Sequence, residues 1–170
     1  NTLFIGGGNM AFAILGGLIG NGAPASAFHV VDPSAEATSK MSTLKIGCST
    51  DWPDHFSPEV VVLAVKPQMM QQVLNSPANN LKNILLVSIA AGVSVAQIQD
   101  WSQQHQARVV RCMPNTPALV SQGISGLYFT ANCSESDRSL ARQIFSSCGE
   151  VLVLNNEDEI NAVTAISGSG

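Results

Sequence analysis

The sequence is short of charge. Only 12% of its 170 residues are Asp, Glu, Lys or Arg, about half the share usual in globular domains. The first charged residue is Asp32 and the first arginine is Arg108. The eight Lys and Arg residues are scattered and the net charge is −4, so no basic patch exists to neutralise phosphates, which argues against nucleic acid as a partner. Cysteine is sparse as well. Cys48, Cys112, Cys133 and Cys148 form no C-x-x-C pair and have no histidine at zinc-ligand spacing. They read as reduced, buried thiols of a cytoplasmic protein rather than a disulfide framework or metal centre. His29, His55 and His105 share no spacing that suggests a site, and Cys112 falls inside a strand. No metal is expected; Glu157-Asp158-Glu159 reads as the dipole-favoured start of a helix. Long apolar runs are missing too. Met10–Ile19 is too short to span a bilayer and glycines interrupt it, and no basic segment precedes it as in a signal peptide. Neither a membrane span nor a targeting segment is expected.

Glycine is what the first residues do contain. Thr2-Leu-Phe-Ile5 reads as a buried strand that stops at Gly6-Gly7-Gly8. Met10, Ala13, Ile14, Gly17 and Leu18 then mark one face of a helix. Strand, glycine turn and helix open a dinucleotide-binding βαβ unit, here as Gly6-x-Gly8-x-x-Ala11. Gly6 suits the tight turn, and Gly8 lets a pyrophosphate approach the backbone. Ala11 is small enough for close packing of helix on strand. The amino end of the helix, with its unpaired N–H groups, faces the anion.

The alternation continues. Strands are expected at Phe28–Val31, Lys45–Cys48, Val60–Val65, Ile84–Ile89, Arg108–Met113, Gly123–Thr130 and Gly149–Leu154. Helices are expected at 35–44, 68–74, 94–101, 134–147 and from Glu157 onward. Ser134-x-x-Asp137 forms a capping box, and Pro67 can take a first helical position. Met69, Met70 and Trp101 read as helix core. Strands and helices in turn predict an α/β fold of Rossmann type, a doubly wound and mainly parallel sheet of about eight strands with helices on both faces.

Ligands of such sheets bind beyond the carboxyl ends of the strands. The punctuated loops Gly6–Ala11, Asp32–Ser34, Lys66–Pro67, Ala90–Gly92 and Pro114–Pro117 all fall there. Asp32 lies near the distance, about 20 residues past the glycines, at which an acid grips an adenosine ribose. A carboxylate there favours the 2′-OH of NAD; capping of the next helix is the other reading. Ser34 and Lys40 are the nearby groups for a phosphate. Lys66 can reach a ribose or phosphate, and Asn115 and Thr116, stiffened by Pro114 and Pro117, a carboxamide.

Ile5-Gly-Gly-Gly-Asn-Met-Ala11, Val62-Leu-Ala-Val-Lys-Pro-Gln68, Val87-Ser-Ile-Ala-Ala-Gly92, Arg111-Cys-Met-Pro-Asn-Thr-Pro-Ala118 and Ala162-Val-Thr-Ala-Ile-Ser-Gly-Ser-Gly170 together resemble the pyrroline-5-carboxylate reductase family, over essentially the whole chain. The resemblance implies reduction of 1-pyrroline-5-carboxylate to L-proline, the last step of proline synthesis, with NADP(H) as cofactor and NAD(H) as the alternative. It carries cofactor contacts onto Gly6, Gly7, Gly8, Asn9, Met10, Asp32, Ala64, Val65, Lys66, Pro67, Ile89, Ala90 and Ala91. Glu157 and Ser169 become substrate-side contributors, and no residue stands out as a general acid. Gly7 replaces the family's usual Ala, a change expected to be harmless. Asp51-Trp52 stands where the family often has Asn near the adenosine, and Asn161 where it commonly has Asp.

The family chain continues past Ser167-Gly-Ser-Gly170 into a helical, dimer-forming domain that builds most of the substrate pocket. The expectation is therefore a cofactor domain over residues 1–154 and a connection to a second domain over 155–170. The homo-oligomer would form through that second domain, and this piece alone would be inactive. Two other readings compete: a reductase of the 6-phosphogluconate or β-hydroxyacid type, against which the Met-Pro-Asn-Thr-Pro loop argues, and a non-catalytic dinucleotide sensor.

Overall fold

The computed structural model describes residues 1–76, 78–79, 81–114, 123–160 and 163. Among them, eight strands form one sheet in the order β3-β2-β1-β4-β5-β6-β7-β8. The strands are β1 (Thr2–Ile5), β2 (Phe28–Val31), β3 (Gly47–Ser49), β4 (Val60–Leu63), β5 (Leu85–Ser88), β6 (Val109–Pro114), β7 (Gly123–Phe129) and β8 (Gly149–Val153). The helices are α1 (Asn9–Gly20), α2 (Ala35–Thr43), α3 (Met70–Asn75), α4 (Val95–Trp101) and α5 (Glu135–Ser146), and Pro67–Met69 makes a 3₁₀ turn before α3. The doubly wound Rossmann-type order expected from the alternation is present.

Period-two alternation decides what each face buries. Phe4, Val60, Val62, Leu85, Val87, Val110 and Leu127 point to the face covered by Ile14 and Leu15 of α1, Met41 of α2 and Ile144 and Phe145 of α5. Leu3, Ile5, Val61, Leu63, Leu86 and Val109 point to the other, under Met70 and Leu74 of α3 and Ile98 of α4. Central strands buried on both faces need apolar residues at every position, and β1, β4 and β5 are buried throughout.

One sequence expectation shifts. β3 begins at Gly47, not Lys45, because Lys45 takes a left-handed φ of 59° that closes α2. The sheet is parallel except between β6 and β7, where the chain has too few residues for a crossover helix and must reverse. β8 runs parallel to β7, so both oppose β1–β6. The capping boxes are formed: Ser134 with Asp137 on α5, and Ser94 with Gln97 on α4. Among the described residues no helix is long and apolar enough to cross a membrane.

Candidate functional site

The glycine turn leaves β1 at the middle of the sheet, between β2 and β4. Gly6 has φ 103°, and a Cβ on it would lie 2.6 Å from the carbonyl oxygen of Ala64, so the turn passes against the end of β4 and admits no side chain. A Cβ on Gly8 would meet nothing within 4 Å; this is the face left open for a ligand. Gly7 differs. A Cβ there would stand 2.7 Å from the Cβ of Ala37 and 3.3 Å from Cγ1 of Val30. The exchange of the family's Ala for Gly7 is therefore not neutral in this chain, because α2 lies too close over the turn.

Asp32 braces this turn. Its Oδ2 accepts the Gly7 N–H at 2.7 Å and its Oδ1 accepts the Ser34 N–H at 2.8 Å. Both carboxylate oxygens thus hold backbone, one across the sheet and one locally. Gly6 N–H donates to the carbonyl of Val31. The amides of Gly8, Asn9 and Met10 find no acceptor among the described residues, and no side chain caps α1. An uncapped first turn of a 12-residue helix presents N–H groups and a positive dipole end suited to a pyrophosphate. Lys40, whose ammonium pairs with Glu36 at 2.8 Å, also donates to Oδ1 of Asn9 at 3.0 Å, so a cation stands beside that turn.

A cavity of about 470 Å³ opens at the carboxyl ends of β1, β2 and β4, with Gly6, Gly8, Asp32, Ala64, Val65 and Lys66 on its walls. Lys66 is exposed, and its ammonium makes no hydrogen bond or ion pair with another described residue. Thr50, Asp51 and Trp52 after β3 close one side and Met69, Gln72 and Val73 another. Met69, expected in the core, is 44% exposed and belongs to this wall; only Met70 is core. A larger groove, about 700 Å³ between α1 and α5, is lined by Phe12, Gly16, Gly20 and Ser146 among others and carries no ionisable side chain.

The three histidines are not all apart: the rings of His29 and His55 lie 6.4 Å from each other. His29 Nε2 bonds Ser49 Oγ at 2.9 Å, and that hydroxyl donates to the carbonyl of Asp51, which steadies the turn entering the cavity wall. Burial, and then the neighbouring His55, lower the pKa of His29. Cys112, Cys133 and Cys148 are buried and free, and burial raises all three thiols. Among the described residues no three His, Cys, Asp or Glu side chains gather as a metal site.

Residues 2–92 match the family model described as NADP oxidoreductase, coenzyme F420-dependent. The chain is 45% identical over 170 residues to the pyrroline-5-carboxylate reductase of Pseudomonas aeruginosa, covering 98% of this chain and 62% of that protein. It is 42% identical to that of Haemophilus influenzae, with the same coverage. The solved pyrroline-5-carboxylate reductase of Coxiella burnetii superposes with a TM-score of 0.91 at 35% identity, over 100% of this chain and 64% of that one. The chain belongs to the pyrroline-5-carboxylate reductase family. It spans 62% of the length of these curated relatives. The Plasmodium falciparum pyrroline carboxylate reductase, solved with NADP bound, superposes with a TM-score of 0.84 at 28% identity, over 100% of this chain and 63% of that one.

The remaining residues carried over from the pyrroline-5-carboxylate reductase family lie farther along the same edge. Pro67 opens the 3₁₀ turn after Lys66. Ile89, Ala90 and Ala91 follow β5, with Ile89 N–H bonded to the carbonyl of Leu63, which ties that loop to the end of β4. Glu157 precedes helical backbone at Asp158–Ile160. Its Oε1 accepts the Val95 N–H at 2.7 Å and pairs with the Arg111 guanidinium at 3.0 Å. Sequence reading passed over Arg111; the signal was a charge inside an otherwise apolar strand. Asn115, Thr116, Asn161 and Ser167–Gly170, including Ser169, lie outside the described residues.

Proposed function

We propose that this chain is the NADP(H)-binding part of an enzyme that reduces 1-pyrroline-5-carboxylate to L-proline. One observation carries the cofactor reading: an uncapped α1 amino end, with open amides at Gly8, Asn9 and Met10, sits on a turn fixed by Asp32 beside a cavity of matching position. The relatives' shared name supports the substrate. Bound there, the dinucleotide supplies the hydride.

The chain's own residues then have distinct tasks. Gly8, Asn9 and Met10 offer N–H groups to the pyrophosphate, and Lys66 and Lys40 add positive charge nearby. Asp32 keeps Gly7 in place rather than reading the ribose, so the carboxylate no longer favours NAD, and NADP(H) is the cofactor proposed. Ala64, Val65, Pro67, Ile89, Ala90 and Ala91 form the floor along the ends of β4 and β5. Asn115 and Ser169 join on the nicotinamide and substrate sides, with Glu157 beside the imine. A protonated imine is already electrophilic, so the protein needs to position two ligands rather than provide a nucleophile. Residues 1–154 form the cofactor domain and 155–170 lead to a second domain, through which the protein forms a homo-oligomer in the cytoplasm.

The test is direct. Full-length protein should oxidise NADPH with 1-pyrroline-5-carboxylate and release proline. The 170-residue piece should bind the dinucleotide with negligible turnover. Tight dinucleotide binding by a full-length protein inert toward the imine would leave a sensor instead.

A further inference from the structure

Arg111 sits at an interior position of β6 between the buried residues Val110 and Cys112, and its side chain is 5% exposed. A guanidinium taken out of water costs several kcal/mol unless it is paired and hydrogen-bonded. Its partner is Glu157, and the pair spans the sheet surface from β6 to the segment after β8. The contact is lopsided. One oxygen of Glu157, Oε1, takes both the guanidinium N–H and the Val95 N–H. Oε2 takes no hydrogen bond from another described residue, although a carboxylate can accept at both oxygens.

Position gives this geometry its meaning. Arg111 is in register with Ser88, the last residue of β5, so the pair stands level with the edge where the parallel strands stop. Val95 opens α4, three residues past the Ala90–Gly92 loop. Two donors on one oxygen hold a long, rotamer-rich side chain in one place and leave its second oxygen for another partner.

We infer that Arg111 is a positioning residue: it pins the Glu157 carboxylate at the carboxyl edge of β5, where its negative charge attracts a cationic imine. The inference rests on the reading under Proposed function and adds to it a residue that touches neither substrate nor cofactor. If the pair were only a brace for the segment after β8, its loss would lower stability without acting through Glu157.

The experiment uses full-length protein and four variants: Arg111→Lys, Arg111→Met, Glu157→Gln and the double Arg111→Met/Glu157→Gln. The double replaces the ion pair by neutral groups and so avoids a stranded buried charge. Steady-state kinetics with 1-pyrroline-5-carboxylate are read beside NADPH affinity from a fluorescence titration. Arg111→Met should lose about 100-fold in kcat/KM for the imine, the scale of a misplaced group, and Glu157→Gln about 100-fold, the scale of one lost electrostatic contact. The double should lose about 100-fold as well, not about 10,000-fold, because the two residues act as one unit. Arg111→Lys should recover most of the loss, and NADPH affinity should stay within about 2-fold throughout. Multiplicative losses, or a destabilised Arg111→Met with unchanged kcat/KM, overturn the positioning role while leaving the proposed function standing. No turnover by the unsubstituted protein overturns both.

Discussion

The two ends of the sheet hold their carboxylates by different means. At the β1–β2 end, Asp32 is satisfied by backbone alone, through the N–H groups of Gly7 and Ser34. At the β6–β8 end, Glu157 and Asp137 each accept a backbone N–H and also pair with an arginine, Arg111 and Arg108. The first arrangement leaves a turn free of side chains, so that a ligand can meet main-chain donors directly. The second locks strands and helices together through ion pairs in which one charge, that of Asp137 or of Arg111, is removed from water. The same acid chemistry thus serves an open turn at one end and a clasp of ion pairs at the other.

That contrast can be broken from the clasp side first. Arg108→Met strands Asp137, whose side chain is 5% exposed, and should lower stability by about 2–3 kcal/mol in urea unfolding, less than for a fully buried pair because Arg108 is itself partly in water. An unchanged midpoint would mean that Ser134 and the α5 capping box satisfy Asp137 without help. On the side of the open turn, Gly7→Ala should cost about 1–2 kcal/mol by overpacking against Ala37, read as a drop in Tm. A neutral result would show that α2 moves away freely.

Asp32→Asn sharpens the comparison with a smaller effect, about 1 kcal/mol for a weakened charge-assisted bond. Because the carboxylate engages Gly7 and Ser34, NADH and NADPH should both bind several-fold more weakly by the same factor. A change in their ratio would show that Asp32 reads the ribose after all. The smallest effect is in pH. His29 has a pKa lowered from 6.5 by burial and by His55, so the folded protein prefers the neutral ring. Stability is then complete above about pH 6.5 and declines as pH falls below it. Asp137 is shifted the opposite way in charge. Burial raises its pKa, but the Ser134 and Arg108 contacts outweigh that and leave it below 3.8, so its contribution is lost only in stronger acid. Thermal melts from pH 8 to pH 5 should show a shallow decline that His29→Gln flattens; an equal slope in that variant would assign the decline elsewhere.

The open turn was far more legible in the sequence than the clasp. Gly6, Gly8 and Ala11 announce their turn locally, since strand, glycine and helix are consecutive, and the apolar runs of β1, β4 and β5 can be little else than buried strands. Arg111 and Glu157 are 46 residues apart, and only the folded sheet brings them together. The role of Asp32 was ambiguous for a related reason. Spacing places the residue at the end of β2 but cannot say whether its oxygens turn outward to a ribose or inward to Gly7. Gly7 failed in the same way, because its crowding comes from Ala37 on a different helix. Spacing found the strand ends; packing decided what each side chain does there.

The strand reversal after β6 has an electrostatic consequence. α1, α3 and α4 each follow a strand of β1–β5 and so turn their amino ends, the positive poles, toward the carboxyl edge of the sheet. α5 follows the reversed β7, so its amino end lies beside Arg108, ahead of β6, at the opposite edge. Glu135 and Asp137 in its first turn meet that positive pole. A single reversed strand thus divides the helix dipoles between the two edges, with open amides at the glycine turn on one and carboxylates on the other.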